Sequence, residues 1–122
     1  MNRTQLLLKA KAIIETQLNT YIISTEFNEN TSNLKITLLG GITLYIRYND
    51  YQEYSYTIQF SLNKFDRIRF DNFDKGWGVE TDPHHVHLRF QKNAHKSLMS
   101  GILENDLQTF IDEILKSLNF EL

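Results

Sequence analysis

Residues 34–48 read LKITLLGGITLYIRY. Leu34, Ile36 and Leu38 alternate with Lys35 and Thr37 before the glycine pair, and Ile42, Leu44 and Ile46 alternate with Thr43, Tyr45 and Arg47 after it. A period of two sends successive side chains to opposite faces of an extended chain, so each half is a strand with one apolar face. Gly40-Gly41 marks the hairpin between them. A two-residue turn would set Leu38 opposite Thr43 and mix the faces. A three-residue loop, Leu39 to Gly41, sets Leu38 opposite Ile42 and Ile36 opposite Leu44, with Gly41 in the left-handed conformation such loops favour. That register is the expectation.

The same period extends to either side. Tyr21, Ile23, Thr25 and Phe27 alternate before the hairpin, and Tyr54, Tyr56, Ile58 and Phe60 alternate after it. Two shorter strands are expected at about 67–71, with Ile68 and Phe70 inward, and about 85–90, with Val86, Leu88 and Phe90 inward. The intervening NFDKGWGVETDP, residues 72–83, carries two glycines and the only proline and reads as a long irregular loop. At the chain ends the period changes to 3.6. Leu6, Ala10, Ile13, Ile14 and Leu18 predict a helix over 4–18, and Leu107, Phe110, Ile111, Ile114 and Leu118 predict one over about 105–118, opened by an Asn105/Gln108 capping box. The fold class is therefore α+β: an antiparallel sheet of about six strands with the N-terminal and C-terminal helices packed on one face.

A chain of 122 residues, 41% hydrophobic, suits a single domain over 1–122 with a substantial core. Its net charge of −2 argues against binding polyanions through a basic field of the whole protein, so any basic site is local. The absence of cysteine excludes disulfides, thiolate metal sites and thiol nucleophiles. The leading MNRTQLLLKAKAIIETQL is too short and too charged for a signal peptide or membrane span, which points to a cytoplasmic protein with no membrane partner.

Parity then assigns the face the helices leave bare. If even-numbered residues of the later strands point inward, the opposite side carries Arg47, Arg67, Arg69, Asp71, His85, His87 and Arg89, with Lys35 beside them. Four of the five arginines fall there. A polar uncovered face is normal in a two-layer protein, and cross-strand Arg/Asp pairs are common. The choice of arginine nevertheless favours anion recognition, since the guanidinium fork binds phosphate in a bidentate way and stacks on bases. His85 and His87, with Cα atoms roughly 6.5 to 7 Å apart, present both rings to one side. They suit proton transfer near neutral pH with Asp71 as tautomer-fixing partner, or divalent metal binding with Asp71 as third ligand. Two solvated strand histidines remain an equally simple reading. His84 faces the helices or sits at the loop edge, and reads as a buried, hydrogen-bonded histidine before it reads as a ligand. Trp77, between Gly76 and Gly78, is a stacking candidate on the loop, and Lys92 a basic contact beyond the last strand.

YSY at 54–56, RFDN at 69–72 and PHHVH at 83–87, in that order between two helices, resemble the TumE-like proteins, the toxin half of TumE/TumA toxin–antitoxin modules. The family pattern runs Tyr-Ser-Tyr, then Arg-Trp-Asp-Asn-x-Pro-His-His, then Pro-His-His-x-His. Arg69, Asp71, Asn72, Pro83, His84, His85 and His87 match it, over roughly residues 34–90. Phe70 stands for the tryptophan, and FDKGWG stands where the first histidine pair falls. The resemblance implies a growth-inhibiting toxin and a cognate antitoxin partner.

Together these readings give a toxin acting on RNA without metal or cofactor. His85, His87, Asp71 and Arg69 are its catalytic candidates, and Arg47, Arg67, Arg89, Trp77 and Lys92 its substrate contacts. A non-catalytic nucleotide- or partner-binding module and a metal-dependent hydrolase are the alternatives. The exposed sheet edge suits an antitoxin or a second copy, as in a homodimer.

Overall fold

The computed structural model describes residues 1–121. Leu38 and Ile42 close the central hairpin through a 2.8 Å bond from the Leu38 amide to the Ile42 carbonyl, and Ile36 faces Leu44. The expected register holds. Both turn glycines are left-handed, Gly40 at φ 81° and Gly41 at φ 80°.

The elements run α1 (Arg3–Leu18), β1 (Ile22–Asn28), β2 (Asn33–Leu38), β3 (Thr43–Tyr48), β4 (Tyr54–Gln59), β5 (Arg67–Asp71), β6 (His85–His87), β7 (Ala94–Lys96) and α2 (Leu103–Glu121). Strand order in the sheet follows chain order, and every pairing is antiparallel. The sheet thus has seven strands, not six, because a short β7 returns along β6. Three residues of AHK carry too little alternation to announce a strand.

Both helices cover the face that carries Leu34, Ile36, Leu44, Ile46, Tyr56 and Ile58. Leu7, Ala10, Ile14 and Leu18 come down from α1, and Leu107, Phe110, Ile111, Ile114 and Leu118 from α2. Each of these side chains is withdrawn from water almost completely, worth about 1.5 to 3 kcal/mol apiece in transfer free energy for the leucines, isoleucines and phenylalanine. The N-terminus of α1 is fixed by a capping box in which Asn2 accepts from the Gln5 amide while Gln5 accepts from the Asn2 amide.

Three local expectations fail, each for a physical reason. Ile23 is exposed because a bulge between Ile22 and Ser24 shifts the register of β1 and turns this side chain outward. β6 ends at His87. Leu88 and Phe90 therefore do not enter the core, and Phe90 adopts a left-handed φ of 59° and is 61% exposed. Asn105 lies inside α2 and is not its cap. The buried Asp106 carboxylate instead reaches back to the amides of Ser100 and Gly101, both at 2.8 Å, and anchors the chain entering the helix.

At Gly41 an added Cβ would meet nothing within 4 Å, so any penalty is purely conformational. Gly41→Ala is expected to lower stability by about 1 kcal/mol, and Gly41→Asn by less, since asparagine tolerates the left-handed region. Urea unfolding measures both; an alanine variant as stable as wild type would contradict the turn geometry.

Candidate functional site

Directly opposed residues of an antiparallel pair share a face, so the register can be followed across the sheet. One row on the face away from the helices runs Lys35, Tyr45, Thr57, Arg69, His87, Ala94; the next runs Asn33, Arg47, Ser55, Asp71, His85, Lys96. Arg69 pairs directly with His87, and Asp71 with His85. Arg67 lies one row further, opposite Gln59.

This face is not bare over β5 and β6. The loop from Asn72 to Pro83 folds back, and the Trp77 indole stacks on His85 at 4.5 Å between centroids and meets His87 edge-on at 5.1 Å. The Asp82 carboxylate accepts from the Gly76 amide at 2.9 Å and the Trp77 amide at 3.5 Å, and the indole N–H donates to the Phe73 carbonyl. Under this cover Asp71 is 1% and His85 0% exposed.

Specific hydrogen bonds hold these buried polar groups, except at two imidazole nitrogens. Asp71 accepts from Arg69 Nε at 2.8 Å on one carboxylate oxygen and from the Phe73 amide at 3.0 Å on the other. His85 Nδ1 lies 2.8 Å from the Pro83 carbonyl, which can only accept, so this nitrogen carries the proton. His85 Nε2 lies 3.0 Å from Asp71 Oδ1, yet no aligned hydrogen bond joins them. His87 bonds the backbone of Lys92, and its Nε2 is buried without a partner among the described residues. Desolvation, reinforced by the neighbouring His85 ring and Arg69 guanidinium, pushes the His87 pKa down.

His87 forms part of the wall of a cavity of about 180 Å³, with Arg67, Arg69, Trp77 and Lys92. Burial and the adjacent Arg69 guanidinium lower the Arg67 pKa, and Arg67 makes no ion pair among the described residues. Two further arginines lie elsewhere. Arg47 is exposed on β3, with β4 between it and β5. Arg89 follows the end of β6, where its Nε bonds Asp66 at 2.7 Å and its guanidinium covers the Phe60 ring at 4.0 Å. Asp66 and Phe60 gave no sequence signal for this role, since the pairing depends on where the chain turns after His87.

The other half of the motif faces the helices. Tyr54 O–H and His84 Nδ1 are 2.8 Å apart with their rings stacked, and the Tyr48 and Tyr56 hydroxyls are 2.6 Å apart. These side chains and Asn72 line a second cavity of about 540 Å³, closed at one side by the Lys9–Glu104 ion pair. Burial pushes the pKa of all three tyrosines up, so they stay neutral. Asn72 bonds the Tyr54 amide and the Gln52 carbonyl, tying the end of β5 to the start of β4. His95 lies on β7 and bonds Gln91.

Fold and site define a small helix-backed antiparallel meander with one cationic, histidine-containing pocket on its second face. A family model described as toxin TumE matches residues 4–118, including both helices, and the chain belongs to this family. It is the toxin component of a toxin–antitoxin system, with a cognate antitoxin as the partner that membership implies. No curated protein and no solved structure gives a significant match. Among the described residues, no helix is long and apolar enough to cross a membrane.

Two measurements check this geometry. Trp77→Ala should speed the modification of His85 and His87 by diethyl pyrocarbonate, followed by peptide mass mapping, while His95 reacts as in wild type; unchanged rates would mean the indole is not the cover. The Asp66 carboxyl is held below its ordinary pKa because, although burial opposes this, bonds from Arg89 and Ser61 outweigh it. A depressed folded-state value stabilises the protein above the unfolded value near 3.8 and is lost as pH falls through the lower one. Arg89→Ala should therefore flatten the acid side of the urea-midpoint profile against pH.

Proposed function

We propose that this toxin acts on RNA at the Arg67/Arg69/His87/Trp77/Lys92 cavity. One observation carries the reading: in a chain of net charge −2, two guanidiniums, an ammonium, an imidazole and an indole converge on a single recess. Guanidiniums at this spacing take a phosphodiester group, and an indole beside them offers a stacking surface for a base. Asp71, His85 and His87 form the reaction centre behind the phosphate. The reaction proposed is internal transesterification. The 2′-hydroxyl oxygen bonds to the adjacent phosphorus, the bond from phosphorus to the 5′-oxygen breaks, and the 2′-hydroxyl proton ends on that leaving oxygen. Arg67 and Arg69 balance the added charge on the phosphate oxygens as the new bond forms. Arg89 braces the chain after β6 through Asp66, and Arg47 is a peripheral contact for a longer strand. The unpaired edges of β1 and β7 are the places where an antitoxin segment or a second copy would add to the sheet.

Labelled RNA incubated with wild-type protein should be cleaved with time to 2′,3′-cyclic phosphate and 5′-hydroxyl ends. Arg67→Ala should weaken RNA binding and reduce the dependence of log K on log salt by about 0.7 for a lost phosphate contact. Growth arrest in a host lacking the antitoxin should be relieved by the Arg67→Ala/Arg69→Ala pair. Binding without cleavage would leave a non-catalytic module; full arrest by the double variant would remove this cavity from the toxic action.

A further inference from the structure

We infer that Asp71, His85 and His87 form a binding site for one divalent first-row metal ion of the zinc class. This deepens the reading of the same cavity, and it stands on the donor geometry and on unsatisfied buried atoms. The three residues each offer a ligand atom, and these atoms all lie within 4.8 Å of one another. Donors about 2.0 to 2.1 Å from a tetrahedral zinc are about 3.4 Å apart, so side-chain shifts of about an ångström complete the site.

The unsatisfied atoms supply the independent reason. The His85 Nδ1 proton is committed to the Pro83 carbonyl, which leaves the Nε2 lone pair directed into a fully buried space beside Asp71 Oδ1. Lone pair against carboxylate oxygen at 3.0 Å is repulsive unless something positive lies between them. A proton on Nε2 would relieve that contact alone, and the aligned hydrogen bond it would require is missing. It would also leave His87 Nε2 buried without a partner. One divalent cation satisfies both imidazoles and the carboxylate together.

The surroundings match what ligating residues need. A metal-bound histidine ordinarily donates its other ring N–H to a carbonyl or carboxylate, as His85 does to Pro83. A ligating carboxylate is itself hydrogen-bonded, as Asp71 is by Arg69 Nε and the Phe73 amide. The Arg69 contact falls on the carboxylate oxygen that does not face His85, so the guanidinium orients the ligand from behind. Two imidazoles and one carboxylate suit zinc, manganese or iron(II) better than calcium or magnesium. With three protein ligands, a fourth position is left for substrate or water, as in catalytic and not structural sites. The site meets the cavity at His87.

The test uses the full chain, purified without an affinity tag, stripped with chelator and dialysed. Calorimetric titration with Zn²⁺ should give one site per chain, weakened at least tenfold in His87→Ala and in Asp71→Asn and unchanged in His95→Ala. Co²⁺ in place of zinc should give the visible absorption of a four- or five-coordinate ion. A readout that needs no variant is histidine-ring NMR of the wild type, where zinc should shift His85 and His87 and leave His84 and His95 in place. Absence of saturable binding, retention of full affinity in both ligand variants, or shifts confined to His84 and His95 would overturn the proposal. RNA cleavage by a metal-free protein that shows no saturable zinc binding would overturn the metal site while sparing the RNA reading; saturable zinc binding by a protein that cleaves RNA in neither the metal-free nor the zinc-loaded form would do the reverse.

Discussion

The structure depends on one constraint: antiparallel pairing maintained from β2 to β6, in which directly opposed residues must emerge on the same side. The turn at Leu39–Gly41 fixes the phase of this pairing. A slip of one residue there would mix the faces, bringing either Lys35 and Thr37 or Tyr45 and Arg47 under the helices beside the apolar side chains of the other strand. Burying those cations and hydroxyls without partners would cost several kcal/mol per charge. Apolar burial on one face therefore determines polar placement on the other. Arg69, Asp71, His85 and His87 meet because Ile68, Phe70 and Val86 have a core to enter.

Much of this was legible in the residues themselves. The LKITLLGGITLYIRY hairpin could be read to its register, since a three-residue loop keeps the apolar side chains together and a two-residue turn does not. The shared face of Arg69 and His87 followed from the same period of two. What escaped was whatever depended on interruptions of that period. The bulge in β1 moves Ile23 outward with no glycine or proline to announce it, and the end of β6 at His87 places Leu88 and Phe90 outside the core. The α2 anchor at Asp106 was hidden because its carboxylate bonds backwards to a segment with no regular structure.

For the site, sequence supplied identities and direction but not depth. Asp71 and His85 fall where parity puts them, yet they are buried on the side away from the helices, because Trp77 returns from a loop with no regular period. The pair His84 and His85 shows how finely the chain divides its work. Adjacent in sequence, they emerge on opposite sides: His84 joins the tyrosine-lined cavity beside α2, and His85 lies under the indole.

The loop that carries Trp77 also separates two scales of stability. The core beneath the helices can be exposed only by cooperative unfolding, whereas the indole is held by ring stacking, one N–H bond and the grip of Asp82 on two amides. A segment with so few attachments detaches at a small fraction of the global free energy. Asp71 and His85 are thus sealed by a latch that thermal fluctuation can release while the sheet stays folded.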